Sequence, residues 1–446
     1  MLSLPGAADP VTATDPGLLE LTFETLIARG PDGNYYPGLA RDWAVSADGR
    51  SVTLNLKTGV VFSDGTALTP QVVAASLNRL HAADPGVLGP VESIAAAGET
   101  AVVVTLSRPY PPLWGALASV RSAISANAAS GLVGTGPFII ESLTADSLEL
   151  VANSAYRWAP DYYRVRGPAR LDRVSVIRFA DAAALAAAVT GGQVDLARGT
   201  DMTPETGWTA ISAPGESLLY LGFNTRIAPY NDARVRRAVA LLAAAGRSAV
   251  AGNLPGWVAT DAYLPGGVPG SAELAPTGDP ASLLNEAGFT RDAAGRYRSG
   301  ETALQLVLTV GPRAEDQAVA TAIVDSLRSA GIDAAVGAAP NSEQAYLARF
   351  TWGEPDILYY LLHTGAEANR SGYSDARADR LLEAAAGAMD ETDRLAVYRA
   401  LQAKLAEDCP WLPVLSSQER WIVRDGVRNV RAGTGGRLFL TTAAIK

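Results

Sequence analysis

Ser51-Val52-Thr53-Leu54-Asn55-Leu56 alternates polar and apolar side chains, the period of two that a half-buried strand requires. Ser46-Ala47-Asp48-Gly49 ahead of it reads as a hairpin turn. The same reasoning gives strands at 101–106, 138–140, 174–179, 218–223, 304–309 and 356–361. Apolar residues at helical spacing predict helices from Thr69-Pro70 to about His81, over 235–245, 280–287 and 316–330, and onward from Asp375 and from Thr392. Asp181 caps an alanine-rich helix that stops at Gly191-Gly192, and Gly288 ends the helix before it. Near the start, Asp15-Pro16 reads as a cap and first helical residue ahead of Leu18, Leu21, Thr22 and Thr25. Strands alternating with helices predict an α/β protein. A chain of 446 residues is too long for one small core and suits two or three lobes.

Composition narrows the function classes. The chain is 48% hydrophobic and 19% charged, which is globular, and no apolar run reaches the length of a membrane helix. A net charge of -9 disfavours nucleic acid as a partner. Cys409 is the one cysteine, so no internal disulfide can form. His81 and His363 are the two histidines, with no H-E-x-x-H or C-x-x-C spacing around them, and neither a metal site nor a cofactor is expected. Met1 to Pro5 has neither the charged and apolar regions of a signal peptide nor a lipobox cysteine. Either the chain acts in the cytoplasm, or its numbering begins after an export signal.

No G-x-S-x-G, P-loop or S-x-x-K motif nominates a catalytic centre, and the chain is not expected to be an enzyme. Gly134-Thr135-Gly136-Pro137 lacks the third glycine of a dinucleotide loop, and Pro137 removes an N–H, so it reads as a tight turn into a strand. Arg121 lies in Leu117-Ala118-Ser119-Val120-Arg121-Ser122-Ala123, where a permanent charge is either paired internally or aimed at an anion. Tyr110 and Trp114 precede it, and aromatics beside one arginine suit an amphipathic ligand with a carboxylate. His363 follows the expected strand 356–361, in the kind of loop that lines ligand sites in α/β folds.

The run from Gly33 to Leu77 is more specific. It contains Pro37-Gly38-Leu39-Ala40-Arg41-Asp42-Trp43, then Ser46-Ala47-Asp48-Gly49, then Gly59-Val60 and Phe62-Ser63-Asp64-Gly65. Further along come Gly134-Thr135-Gly136-Pro137-Phe138, Asn153-Ser154-Ala155-Tyr156, Gly192-Gln193-Val194-Asp195-Leu196, Phe223-Asn224-Thr225 with Arg234-Val235-Arg236-Arg237-Ala238, and Asn369-Arg370-Ser371-Gly372-Tyr373-Ser374. In this order they resemble the family 5 extracellular solute-binding proteins, the peptide/nickel-binding type, of ABC importers.

The resemblance implies a periplasmic-binding-protein-like fold (class II, cluster C), two α/β lobes joined by a hinge plus an extra β-rich domain. Residues 1–28, 142–225 and 414–446 would form lobe I, 29–141 the β-rich domain associated with it, and 226–413 lobe II. It implies a monomer that closes on a small-molecule ligand and hands it to a membrane permease, located in the periplasm or anchored outside the cell. Nickel-chelate binders of this type hold carboxylates with an arginine after an L-A-x-x-R run, and Arg121 matches that position. The acidic stretch with which peptide binders pair the peptide's amino group is missing after residue 361, with Glu367 as the nearest substitute. The residues expected at the ligand are Arg121, Tyr110, Trp114, Tyr346, Tyr360, His363, Glu367 and Asn369. An oligopeptide, a metal chelate or an opine-like ligand remain open. So does a non-transport small-molecule sequestering protein, or in last place an enzyme, on the same fold, which the missing export signal and the shortened loop after residue 361 motivate.

Overall fold

The structure is a computed structural model and describes residues 8–13, 17–128, 131–164, 166–199, 204–337 and 343–446. The expected cap at Asp15-Pro16 lies outside them. The chain divides into two compact units. The first comprises Met1–Ala213, Gly387–Met389 and Glu419–Lys446, the second Pro214–Ala386 and Asp390–Gln418. Two boundaries fall inside long strands, Trp208–Phe223 and Trp411–Arg424, each of which starts in one unit and ends in the other.

In the first unit an antiparallel sheet has the order Ala40–Val45, Ser51–Leu56, Ala101–Leu106, Val91–Ala97. The alternation read at 51–56 is realised: Val52, Leu54 and Leu56 point into the core and the residues between them do not. Helix Pro70–Ala83 covers this sheet with Val73, Leu77 and Leu80, its first turn capped by Thr69, whose hydroxyl accepts from Val72 N at 3.3 Å. A second sheet orders Arg173–Ile177, Ser147–Ala152 and Phe138–Leu143. Helix Ala182–Thr190, capped by Asp181 as expected, leads from it to the short strand Leu196–Arg198, which pairs with the end of Trp411–Arg424.

The second unit is built on a mixed sheet in the order Trp411–Arg424, Trp208–Phe223, Ala345–Thr351, Gln305–Thr309, Asp333–Val336, with Trp257–Ala259 added beside the first. Helices Ala233–Ala251 and Ala314–Ser329 pack on each other over it. The close approach is set by Gly246, where a Cβ would lie 2.3 Å from the carbonyl oxygen of Ala322. Arg236 is 4% exposed and ties this layer to the end of helix Glu391–Asp408. Its guanidinium donates to the carbonyl of Tyr230 at 2.7 Å and to that of Cys409 at 3.0 Å, the latter at the C-terminal end of the helix, whose dipole suits a cation.

One expected element is of the wrong type. Residues 356–361 are not a strand: Ile357–Leu362 is a helix. Short apolar runs carry no periodicity that separates the two. The context decides, because Pro355 and Asp356 are helix-starting residues and the apolar face splits, burying Ile357, Leu358 and Leu362 while Tyr360 is 50% exposed. The strand preceding that loop is Ala345–Thr351.

Candidate functional site

In the first unit, two of the expected residues, Tyr110 and Arg121, meet the loop after helix Pro70–Ala83. Gly89 has φ 70°, and a Cβ there would sit 2.2 Å from a ring carbon of Tyr110, so the tyrosine lies flat on the glycine. Arg121 Nη1 donates to Asp84 Oδ2 at 3.1 Å, both side chains about two-fifths exposed. The arginine therefore meets solvent already carrying one carboxylate partner. Trp114 is different: it is 3% exposed, its Nε1 donates to the Met389 carbonyl at 3.0 Å, and its ring centroid lies 5.9 Å from that of Trp43. It is part of the core against which Tyr110 packs.

Deeper in the same unit, the glycine-rich turn and the Asn153–Tyr156 segment converge on one carboxylate, Glu24, which no sequence motif singles out. Tyr156 OH donates to its Oε1 at 2.8 Å, while Trp158 Nε1 and Thr135 Oγ1 donate to Oε2 at 2.7 and 2.9 Å. Asn153 Nδ2 holds the turn through the Gly136 carbonyl at 2.9 Å. Gly134 and Gly136 are glycines because the Thr22 carbonyl oxygen would lie 2.2 and 2.6 Å from their Cβ atoms. The turn serves close backbone approach, not phosphate. Burial pushes the Glu24 carboxyl up to about 7, against the three donors and the charge of Lys57. Beside it is a cavity of ≈ 80 Å³ lined by Phe23, Tyr156, Tyr162, Tyr163 and Phe439, with the Glu20–Arg437 pair at 3.0 Å.

In the second unit, helix Ile357–Leu362 displays an aromatic face. Trp352, 45% exposed, and Tyr360, 50% exposed, have ring centroids 6.3 Å apart. Trp352 Nε1 donates to Asp356 Oδ1 at 2.8 Å, and burial pushes the Asp356 carboxyl above its ordinary range despite that bond and the nearby Arg394. Rings flanking a carboxyl suit an ammonium group or a sugar face. Trp352 and Asp356 are not among the residues expected from sequence, although Trp-Gly-Glu-Pro-Asp is an acidic, proline-marked stretch that offers the signal.

The other expected residues of this unit have local duties. His363 stacks on Tyr359 at 4.5 Å, its Nδ1 accepts from Gly365 N at 3.2 Å and its Nε2 faces Glu383 Oε1 at 3.3 Å. Asn369, 6% exposed, donates to the carbonyls of His363 at 3.1 Å and Tyr373 at 2.8 Å, closing the loop on itself. Glu367 is exposed between them. Tyr346 is 2% exposed, with the Arg370 guanidinium 4.0 Å above its ring. Gly222 opposite makes room for that ring, since a Cβ there would lie 2.3 Å from it. Among the described residues no group of three His, Cys, Asp or Glu is placed to hold a metal ion, and no helix is long and apolar enough to cross a membrane.

Comparison with known proteins gives a consistent result. Residues 34–373 match the family model described as bacterial extracellular solute-binding proteins, family 5 Middle. The nickel-binding periplasmic protein of Escherichia coli (strain K12) is 24% identical over 445 residues, covering 88% of this chain and 83% of that protein. The probable D,D-dipeptide-binding periplasmic protein DdpA of the same organism is 26% identical over 466 residues, covering 92% and 86%. An ABC transporter substrate-binding protein from Sinorhizobium meliloti superposes with a TM-score of 0.85 at 21% identity, covering 99% of this chain and 98% of that one. NikA from Brucella suis in complex with Fe(III)-EDTA superposes with a TM-score of 0.75 at 23% identity, covering 100% and 99%.

Proposed function

Because the chain belongs to the family 5 extracellular solute-binding proteins, we propose that it is the substrate-binding component of an ABC importer and captures a small, carboxylate-bearing ligand outside the cytoplasm. The relatives include periplasmic proteins named for nickel and for a D,D-dipeptide and a protein named for glutathione, and a dipeptide and glutathione both carry carboxylates. The observation that carries the reading is the family match across residues 34–373. The two strands that each pass from one unit into the other support it, since they are the connections a hinge needs. In this reading residues 29–141 are the additional β-rich domain, the first unit offers a charge and a ring in Arg121 and Tyr110, and the second offers a stacking surface of its own in Trp352 and Tyr360. Binding and release need no covalent step.

The test is a thermal-shift and calorimetric series with reduced glutathione, D-alanyl-D-alanine and nickel–histidine, followed by solution scattering. The expected result is a saturable shift with at least one of them and a smaller radius of gyration at saturation. Turnover of the ligand, or binding with no change in scattering, would remove the capture reading. Arg121→Ala is expected to weaken binding of the responding ligand by about 1.5–3 kcal/mol, the range of a hydrogen bond to a charged group. Unchanged affinity would leave Arg121 as the partner of Asp84 alone.

A further inference from the structure

Arg121 stands on a braced turn. Ser122, 2% exposed, donates through Oγ to the carbonyls of Ala116 at 2.7 Å and Ser119 at 2.8 Å, and the Arg121 N–H donates to Ser119 Oγ at 3.4 Å. A guanidinium carries five N–H donors in a fixed fork. One of them, on Nη1, donates to Asp84 Oδ2 at 3.1 Å, and among the described residues Nε and Nη2 meet no acceptor. Nε and Nη2 form the edge that takes a carboxylate side-on through two parallel hydrogen bonds. Arg121 therefore has room for one ligand carboxylate, beside a carboxylate of the protein's own.

Asp84 is not where a helix favours a carboxylate. It follows the last residue of helix Pro70–Ala83, its N–H bonded to the Leu80 carbonyl at 2.8 Å, and so lies at the negative end of the helix dipole. Arg121 is the cation that offsets it. A second arginine, on the same helix, is matched in the same way. Arg79 pairs with Asp9 at 2.7 Å and donates to Ser125 Oγ at 3.0 Å, just past the Arg121 turn in the chain. Two guanidinium groups with two carboxylates leave no surplus charge for a polyanion. We propose, on the reading that Arg121 faces the ligand, that Asp84 is a specificity residue: it limits Arg121 to ligands that present one carboxylate, such as the terminus of a peptide or of an amino-acid derivative, and disfavours polycarboxylate chelators. The Asp84 charge repels an incoming anion in proportion to that anion's own charge, whereas its hydrogen bond to Nη1 is the same for every ligand. The ligand's charge is then what Asp84 selects on.

Anion titrations followed on the Arg121 Nε–H resonance test it, the resonance being identified by its loss in Arg121→Gln. The probes are acetate, with one carboxylate, and citrate, with three, added at constant low ionic strength to the wild type, Asp84→Asn and Asp84→Ala. Citrate is expected to bind roughly tenfold or more tightly to both variants than to the wild type, and acetate to change by about threefold or less. Asparagine keeps an acceptor for Nη1 and alanine does not, so agreement between the two variants assigns the effect to charge, and a gain in Asp84→Ala alone overturns the proposal. Equal gains for the two anions, or no gain, overturn it. Weaker binding of both anions overturns it too, because Asp84 would then orient the guanidinium instead of filtering ligands. A resonance that neither anion moves in any of the proteins overturns it by showing that the Nε–Nη2 edge is closed. Acetate and citrate are not the transported ligand, so failure here is separate from failure of the importer reading, which the glutathione, dipeptide and nickel–histidine series decides.

Discussion

Glu24→Ala is expected to lower stability by about 3 kcal/mol, and Glu24→Gln to flatten its dependence on pH. The alanine leaves the Tyr156 hydroxyl, the Trp158 indole and the Thr135 hydroxyl without their shared acceptor. A buried donor left unpaired costs about 1–3 kcal/mol. The sum is held down because Trp158 Nε1 keeps the Thr135 carbonyl at 3.1 Å and hydroxyls can rotate. The pH effect has a definite sign. The carboxyl titrates at about 7 in the folded protein and from 4.5 without that environment. Between those values the folded state holds a proton that the unfolded state has released, so stability falls as pH rises through this window and levels off above 7. Each pH interval of one across that window removes about 1.4 kcal/mol, so the whole loss is at most roughly 3.5 kcal/mol. Urea melts of both proteins between pH 4.5 and 8 check this. A wild-type slope that persists in Glu24→Gln would assign the titration to another group.

That centre also shows what is legible in the sequence. The turn Gly134-Thr135-Gly136-Pro137 and the run from Asn153 to Tyr156 read as separate motifs, and their local shapes are legible because glycine, proline and asparagine state their backbone needs directly. Their common target is not, since nothing local links Glu24 to residues more than a hundred positions away. Amphipathic elements such as 51–56, 101–106 and the helix from Thr69-Pro70 are legible for the same local reason. The strand Trp208–Phe223 shows in the sequence only from Leu218, because its first half contains Pro214 and Gly215 and is only partly buried. The helix at Ile357–Leu362 reads as a strand because six apolar residues in a row have no period. Among the expected site residues, Arg121 and Tyr110 are each part-exposed beside the loop from Asp84 to Gly89, whereas Trp114, Tyr346 and Asn369 are buried. Burial of an aromatic or an amide depends on what the rest of the chain packs against it, so residue type alone cannot separate a wall of a site from its foundation.

Arg394→Met is expected to cost about 3–5 kcal/mol in the second unit, whereas Arg394→Met with Glu354→Gln should recover most of it. Arg394 is 1% exposed in the first turn of helix Glu391–Asp408, and its Nη2 lies 2.9 Å from Glu354 Oε2, itself mostly buried. Removing one member of such a pair leaves the other as an uncompensated charge, the larger penalty, while replacing both removes the desolvation cost as well. The asymmetry between single and double variants therefore reports the buried charge and not lost packing, since the methionine is missing the guanidinium in both. Native-state hydrogen exchange of the helix reads the effect within its own unit, which a global melt of a two-unit protein would blur. A double variant no more stable than the single would mean that Arg394 acts through its packing on Tyr398, whose ring centroid lies 5.6 Å from the guanidinium. The same variant bears on the site. The Arg394 charge restrains the rise of the Asp356 carboxyl, so its loss should favour the protonated form of the carboxyl that Trp352 donates to. A cationic ligand would then bind more weakly to the single variant even at a temperature where it is fully folded.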